Sequence, residues 1–204
     1  MNYLHLSSIL IVIIDVLFLH SMDTAIRTIP FTIFYIIVWQ THICIPEQHG
    51  WSTKIQPNIK YWIQTTPKIA VLLLFFLCVT LTIIHFVDPS IDFQSILQSE
   101  SPIVPWLIST CLIYPIIEEI LYRSLLCTTI LQYTNKTTTI IVSGTIFVFL
   151  HYQYQNLSPD NIIAGYVLAW SYLKSKNIFI PILFHSLGNI FICLIKCINY
   201  YIFM

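Results

Sequence analysis

Three apolar runs of this chain carry ionisable or strongly polar side chains: Glu118, Glu119 and Arg123 in one, His151 in the next, and His185 with Asn189 in the last. A charge at the centre of a membrane helix costs about 2.5 to 3.5 kcal/mol on insertion scales, so residues of this kind mark a polar site beneath the lipid surface. Glu119 and Arg123 stand at i,i+4 and can pair on one helix face. Glu118 then points about 100 degrees away, which leaves it as the chemically available carboxylate. A carboxylate held away from bulk water is a stronger base than one in water. Two histidines and a glutamate (Glu118, His151, His185) also make a set of zinc ligands with a fourth position for water. Intramembrane Glu and His chains can, thirdly, relay protons in transporters.

The elements that must position these groups follow from composition. The chain has 204 residues, is 57% hydrophobic and 9% charged, and has a mean hydropathy of +0.79, which is the composition of an integral membrane protein. Nine basic residues balance nine acidic ones, so the basic face that a nucleic-acid partner requires is missing. A bilayer needs roughly 20 predominantly apolar residues per helix. Hydropathy places spans near 3–22, 26–45, 68–87, 103–132, 138–156, 161–173 and 178–202, the sixth being short. The fold class is therefore all-α, a polytopic bundle of about seven spans. It reads as one membrane domain, with N-terminal spans and loops in 1–102 and the site-bearing helices in 103–204.

Alternate connections hold Lys54, Lys60 and Lys68, then Lys136, then Lys174 and Lys176, whereas the opposite set holds only Arg27. The positive-inside rule then sets the N-terminus on the cytoplasmic or stromal side. The first run lacks a basic leader and a small-residue cleavage site, so it is expected to stay as a span. Residues 91–100 are expected to form a short helix on the outer interface. The six cysteines show no zinc-type spacing and are expected to pack as small hydrophobes.

Within the fourth run, Pro115 cannot donate to the carbonyl of Cys111 and should bend the helix just before the acids. Phe147 is expected to pack beneath His151, one turn on. His185 and Asn189 stack at i,i+4. Counting about 1.5 Å per residue puts Glu118 and His151 each roughly 20 Å from the inner face, and His185 only about 10 to 13 Å, unless its helix starts inside the membrane. Tyr122 could donate to Glu118. Asp15, in the first run, is costly and has no partner that the sequence names. The remaining histidines receive no role, and Trp39, Trp51, Trp62, Trp106 and Trp170 fit interfacial anchoring.

These residues resemble a known family, the CPBP intramembrane proteases, which include the type II CAAX prenyl proteases and many bacterial Abi proteins. Its motifs EExxxR, FxxxH and HxxxN occur here in order, as Glu118-Glu119-x-x-x-Arg123, Phe147-x-x-x-His151 and His185-x-x-x-Asn189. The likeness covers about residues 103–195 and includes Ala164-Gly165-Tyr166. It departs at Ser124, where a glycine commonly follows the motif arginine. The resemblance implies an endopeptidase in which Glu118 takes a proton from water and His151 holds that water. His185 and Asn189 would donate to the oxyanion, with Glu119, Arg123 and Phe147 supporting the site. No cofactor is implied on the metal-free reading, which is favoured because no compact HExxH-type ligand pair is present. Zinc bound by Glu118, His151 and His185 is the alternative. The implied partners are a peptide or protein substrate, lipid-modified in CAAX-processing relatives, and membrane lipid. The competing classes are a proton-linked transporter, against which the lack of an internal repeat counts, and a non-catalytic immunity-type membrane protein.

Overall fold

The computed structural model describes residues 3–19, 29–30, 33, 50–52, 54–87, 103–153 and 159–203. Among these residues the regular structure is helical, without a strand. Helix α1 is Tyr3–Ile14, prolonged by wider π-helical turns over Asp15–Leu19. Helix α2 is Ile59–Val87, α4 is Lys136–Gln153, α5 is Pro159–Ser175 and α6 is Phe179–Phe203. Helix α3 runs over 103–131 as three α-helical stretches joined by π-helical turns at Ser109–Ile113 and Ile120–Cys127. The expected span at 26–45 falls almost wholly outside the described residues, and the expected interfacial helix at 91–100 falls outside them altogether.

Helix α3 is the axis of the bundle. All eight side chains of Ile120–Cys127 are buried, because α1, α4 and α5 pack around this stretch while α6 covers the turns before it. A helix buried on every side has no solvent or lipid face to keep polar or apolar, so its charges must be matched by neighbours. Its segment Val104–Leu131 is long and apolar enough to cross a bilayer. On α6, Leu183, Leu187, Phe191 and Leu194 are exposed while Ile178, His185 and Cys193 are buried. The apolar face thus looks outward and the polar one inward, the reverse of a soluble helix and the arrangement that lipid favours.

Two helices meet most closely at a pair of glycines. A Cβ on Gly165 of α5 would lie 2.9 Å from the backbone oxygen of Gly144 on α4, and one on Gly144 would enter the Tyr166 ring. Small residues allow backbones this near in a membrane bundle, where packing rather than water drives association. Gly165→Ala is therefore expected to push α5 from α4 at a cost of about 1 to 3 kcal/mol. Thermal unfolding in detergent checks this, and an unchanged midpoint would contradict the crossing.

Helix α2 begins at Ile59, nine residues before the expected 68. Hydropathy could not see its first two turns, since they carry Lys60, Gln64, Thr65 and Thr66, but the Asn58 side chain accepts the Tyr61 N–H at 2.9 Å and caps the start. Trp62 in this turn is 2% exposed and packs edge-on against Trp170 and Phe184, so it anchors helices to each other rather than to the lipid interface. Residues 50–52 and 54–56 lie beneath the α5–α6 turn: Gly50 O accepts the Ile178 N–H at 2.8 Å and Ser175 O accepts the Gln56 N–H at 3.0 Å. Ile178, just before α6, lies in one buried cluster with Cys127 of α3, against which Leu131 also packs. Cys127 and Cys193 are buried, as expected of packing residues, and the Cys193 sulfur lies 3.6 Å from that of Cys111.

Candidate active site

The missing donor of Pro115 is taken up as wider turns. In Ser109–Ile113 the Tyr114 N–H reaches back five residues to Ser109 O. In that register Pro115 is the residue that would serve Thr110, and it has no N–H to offer. Thr110 O instead accepts the Asn189 Nδ2–H at 2.7 Å. Asn189 thereby ties α6 to α3 just before the acids, using one of its two amide N–H groups.

Glu119 and Arg123, both fully buried, pair at 2.9 Å from Oε2 to Nε. Arg123 Nη1 donates to Ser143 Oγ at 2.8 Å, and that hydroxyl donates to Tyr122 O at 3.2 Å. The guanidinium carbon lies 5.0 Å from the centroid of the Phe147 ring. A cation over an aromatic face gains more when desolvated. That contact helps offset the buried Nη2, which has no hydrogen-bond partner among the described residues.

The second oxygen of Glu119 accepts the His185 Nδ1–H at 3.0 Å. Nε2 of the same ring faces Glu118 Oε2 at 3.9 Å. His185 therefore stands between the two carboxylates, one in direct hydrogen bond and one just beyond it. Motif one and motif three are brought together in this way, despite the unequal depths that counting residues gives.

His151 lies on the Phe147 ring, with centroids 4.4 Å apart, and Phe147 meets His185 edge-on at 5.9 Å. His151 Nδ1 is 2.9 Å from Phe147 O, and a carbonyl only accepts, so Nδ1 carries the proton. In the neutral ring Nε2 then holds a lone pair. Phe147 thus does more than pack beneath one histidine: its ring separates both imidazoles and the arginine.

The zinc alternative needs Glu118, His151 and His185 to converge on one ion. Among the described residues no three His, Cys, Asp or Glu side chains are grouped to hold a metal.

Residues 100–191 match the family described as Type II CAAX prenyl endopeptidase Rce1-like, and the match takes in all three motifs. Over this region, a little under half of the chain, it is similar to the type II CAAX prenyl endopeptidases. A relative from Bacillus subtilis (strain 168), named "Putative membrane peptidase YdiL", is 26% identical over 103 residues, which are 50% of this chain and 42% of that protein. The match spans less than half the length of this relative. No solved structure matches the chain.

The site includes groups to which the sequence alone gave no role. Ser143, Phe147 and His151 recur at i, i+4 and i+8 on α4, a face that the spacing alone displays. Thr110 gives no such signal, since its backbone acts and not its side chain. Tyr122 donates not to Glu118 but to Asp15 Oδ2, at 3.1 Å. Tyr122 lies in the π-helical stretch Ile120–Cys127, against which α1 packs.

Proposed function

We propose that this chain is an intramembrane endopeptidase that hydrolyses a peptide bond with water activated by Glu118. The observation that carries this reading is the disposition of the paired acids about His185. Glu119 is committed on both oxygens, to Arg123 and to His185, whereas Glu118 stands 3.9 Å from His185 Nε2. A substrate carbonyl entering beside that nitrogen would meet Glu118 on one side and a ring clamped by Glu119 on the other.

Glu118 takes a proton from the attacking water as the scissile carbon becomes tetrahedral, and gives it to the amide nitrogen as the C–N bond breaks and the amine departs. His151, with its proton fixed on Nδ1, accepts the second water hydrogen at Nε2 and so orients the nucleophile. His185 donates to the oxyanion through Nε2, which requires the imidazolium form. The two flanking carboxylates supply its counter-charge, and Arg123 balances the second of them. Asn189 adds its remaining N–H, held in direction by the Thr110 bond. Preorganised donors of this kind are worth about 2.7 to 4 kcal/mol each.

The substrate class proposed is a peptide presented at or within the bilayer, with a lipid-modified, CAAX-type peptide as the first to try because of the family description. The chain would be a multi-pass protein with its N-terminus on the cytoplasmic or stromal side, as the lysine distribution favours.

The test is hydrolysis of a prenylated CAAX peptide, its unprenylated form and a transmembrane peptide by the protein in liposomes. His151→Ala is expected to lower kcat by about 10²- to 10⁴-fold, the usual contribution of a group that moves or holds a proton. Cleavage at the parent rate would overturn the reading. Activity is also expected to survive complete metal removal by a chelator. A loss that zinc alone restores would replace the metal-free mechanism.

A further inference from the structure

Asp15 lies in α1, outside the residues that match the family, yet it is buried against the axis of the site. Helix α1 presents Ser8, Ile11, Val12 and Asp15, at i, i+3, i+4 and i+7, as one buried stripe. Ile11 and Val12 pack with Ile120, Leu121 and Tyr122 of α3, and Asp15 continues that stripe to the Tyr122 hydroxyl. An ionised carboxylate accepts and cannot donate, so the phenol has a single role in the pair, that of donor.

Tyr122 is held at its other end as well. Its backbone oxygen accepts from Ser143, which in turn accepts from Arg123. Its ring meets Phe147 edge-on, with centroids 5.9 Å apart and planes at 85°. Phe147 is the ring on which His151 lies and against whose edge His185 sits. A contiguous path of buried groups therefore leads from α1 to both imidazoles.

We propose that Asp15 is a positioning residue of the peptidase site, which through Tyr122 fixes the plane of Phe147 and with it the direction of the His151 imidazole. The inference rests on the peptidase reading above and assigns α1 a part in it. The proposed route runs through the Tyr122 hydroxyl, 3.1 Å from Asp15 Oδ2, and the aromatic pair behind it. Its removal shifts the histidine by a fraction of an ångström and leaves the substrate-binding surface as it was.

The experiment uses the full chain in liposomes with whichever peptide the parent cleaves. Asp15→Asn keeps the volume but weakens and no longer polarises the acceptor, and Tyr122→Phe keeps the ring but removes the donor. Each is expected to lower kcat by about 10- to 100-fold with KM within twofold, as misplacement of a remote support does. The double variant is expected to lose no more than the worse single one, since both act through one bond. Parent kcat in both single variants, a loss confined to KM, or losses that multiply would each overturn the proposal. Glu118→Gln is run beside them. If it cleaves at the parent rate, the peptidase reading itself falls and the Asp15 role with it. If it is inactive while Asp15→Asn and Tyr122→Phe match the parent, the Asp15 role alone falls.

Discussion

Glu118→Gln is expected to abolish most hydrolysis, lowering kcat by about 10²- to 10⁴-fold while leaving KM and thermal stability close to those of the parent. The reasoning is one of division of labour between neighbours. Glu119 has both oxygens engaged at 2.9 and 3.0 Å, so a proton taken from water there would neutralise the charge that pairs with Arg123 and orients His185. Glu118 Oε2 lies 3.9 Å from His185 Nε2, which places it to serve a water beside that nitrogen. Glutamine has the same shape and still hydrogen-bonds, but its amide does not accept a proton at neutral pH. Single-turnover cleavage with the purified variant measures the effect, and a rate within tenfold of the parent would remove Glu118 from the role of base.

The largest effect on stability is expected from Arg123→Met. The guanidinium is fully buried, and it balances Glu119, bonds to Ser143 and covers Phe147. Taking away one partner of a buried ion pair leaves the other charge without compensation, at about 3 to 5 kcal/mol. Met restores much of the volume, so the loss is electrostatic rather than a cavity. The control is Arg123→Met with Glu119→Leu, which removes both charges. It is expected to recover most of the stability, because apolar groups that replace a whole buried pair are often neutral or stabilising. It should stay inactive, since His185 then loses the carboxylate that clamps Nδ1. Unfolding in detergent and cleavage, measured on the same samples, separate the two effects. A single variant as stable as the parent would show that Glu119 finds its balance elsewhere.

These two expectations differ in how far they can be drawn from the chain alone. Glu119 and Arg123 are one helical turn apart, so their pairing follows from α-helical geometry and the cost of charge in lipid, both local facts. The same holds for the apolar runs and for the order of the three motifs. Their existence, type and place in the chain were legible because hydropathy is summed over one segment at a time. The start of α2 was not, because polar first turns resemble a loop when burial by Trp170 and Phe184 is left out.

What the sequence determined, then, is an all-helical membrane protein with three CPBP-like motifs in order, which supply two adjacent acids, two histidines and an asparagine. What only the tertiary structure decided is which groups face one another across helices. His185 of α6 reaches both acids of α3, at 3.0 and 3.9 Å. Asn189 finds Thr110 because proline in a widened turn leaves that carbonyl bare. Tyr122 finds Asp15, 107 residues away, because α1 packs against Ile120–Cys127. Each depends on the rotation and height of one helix against another. Those are set by packing over the whole bundle, and side-chain periodicity within a single segment carries no record of them.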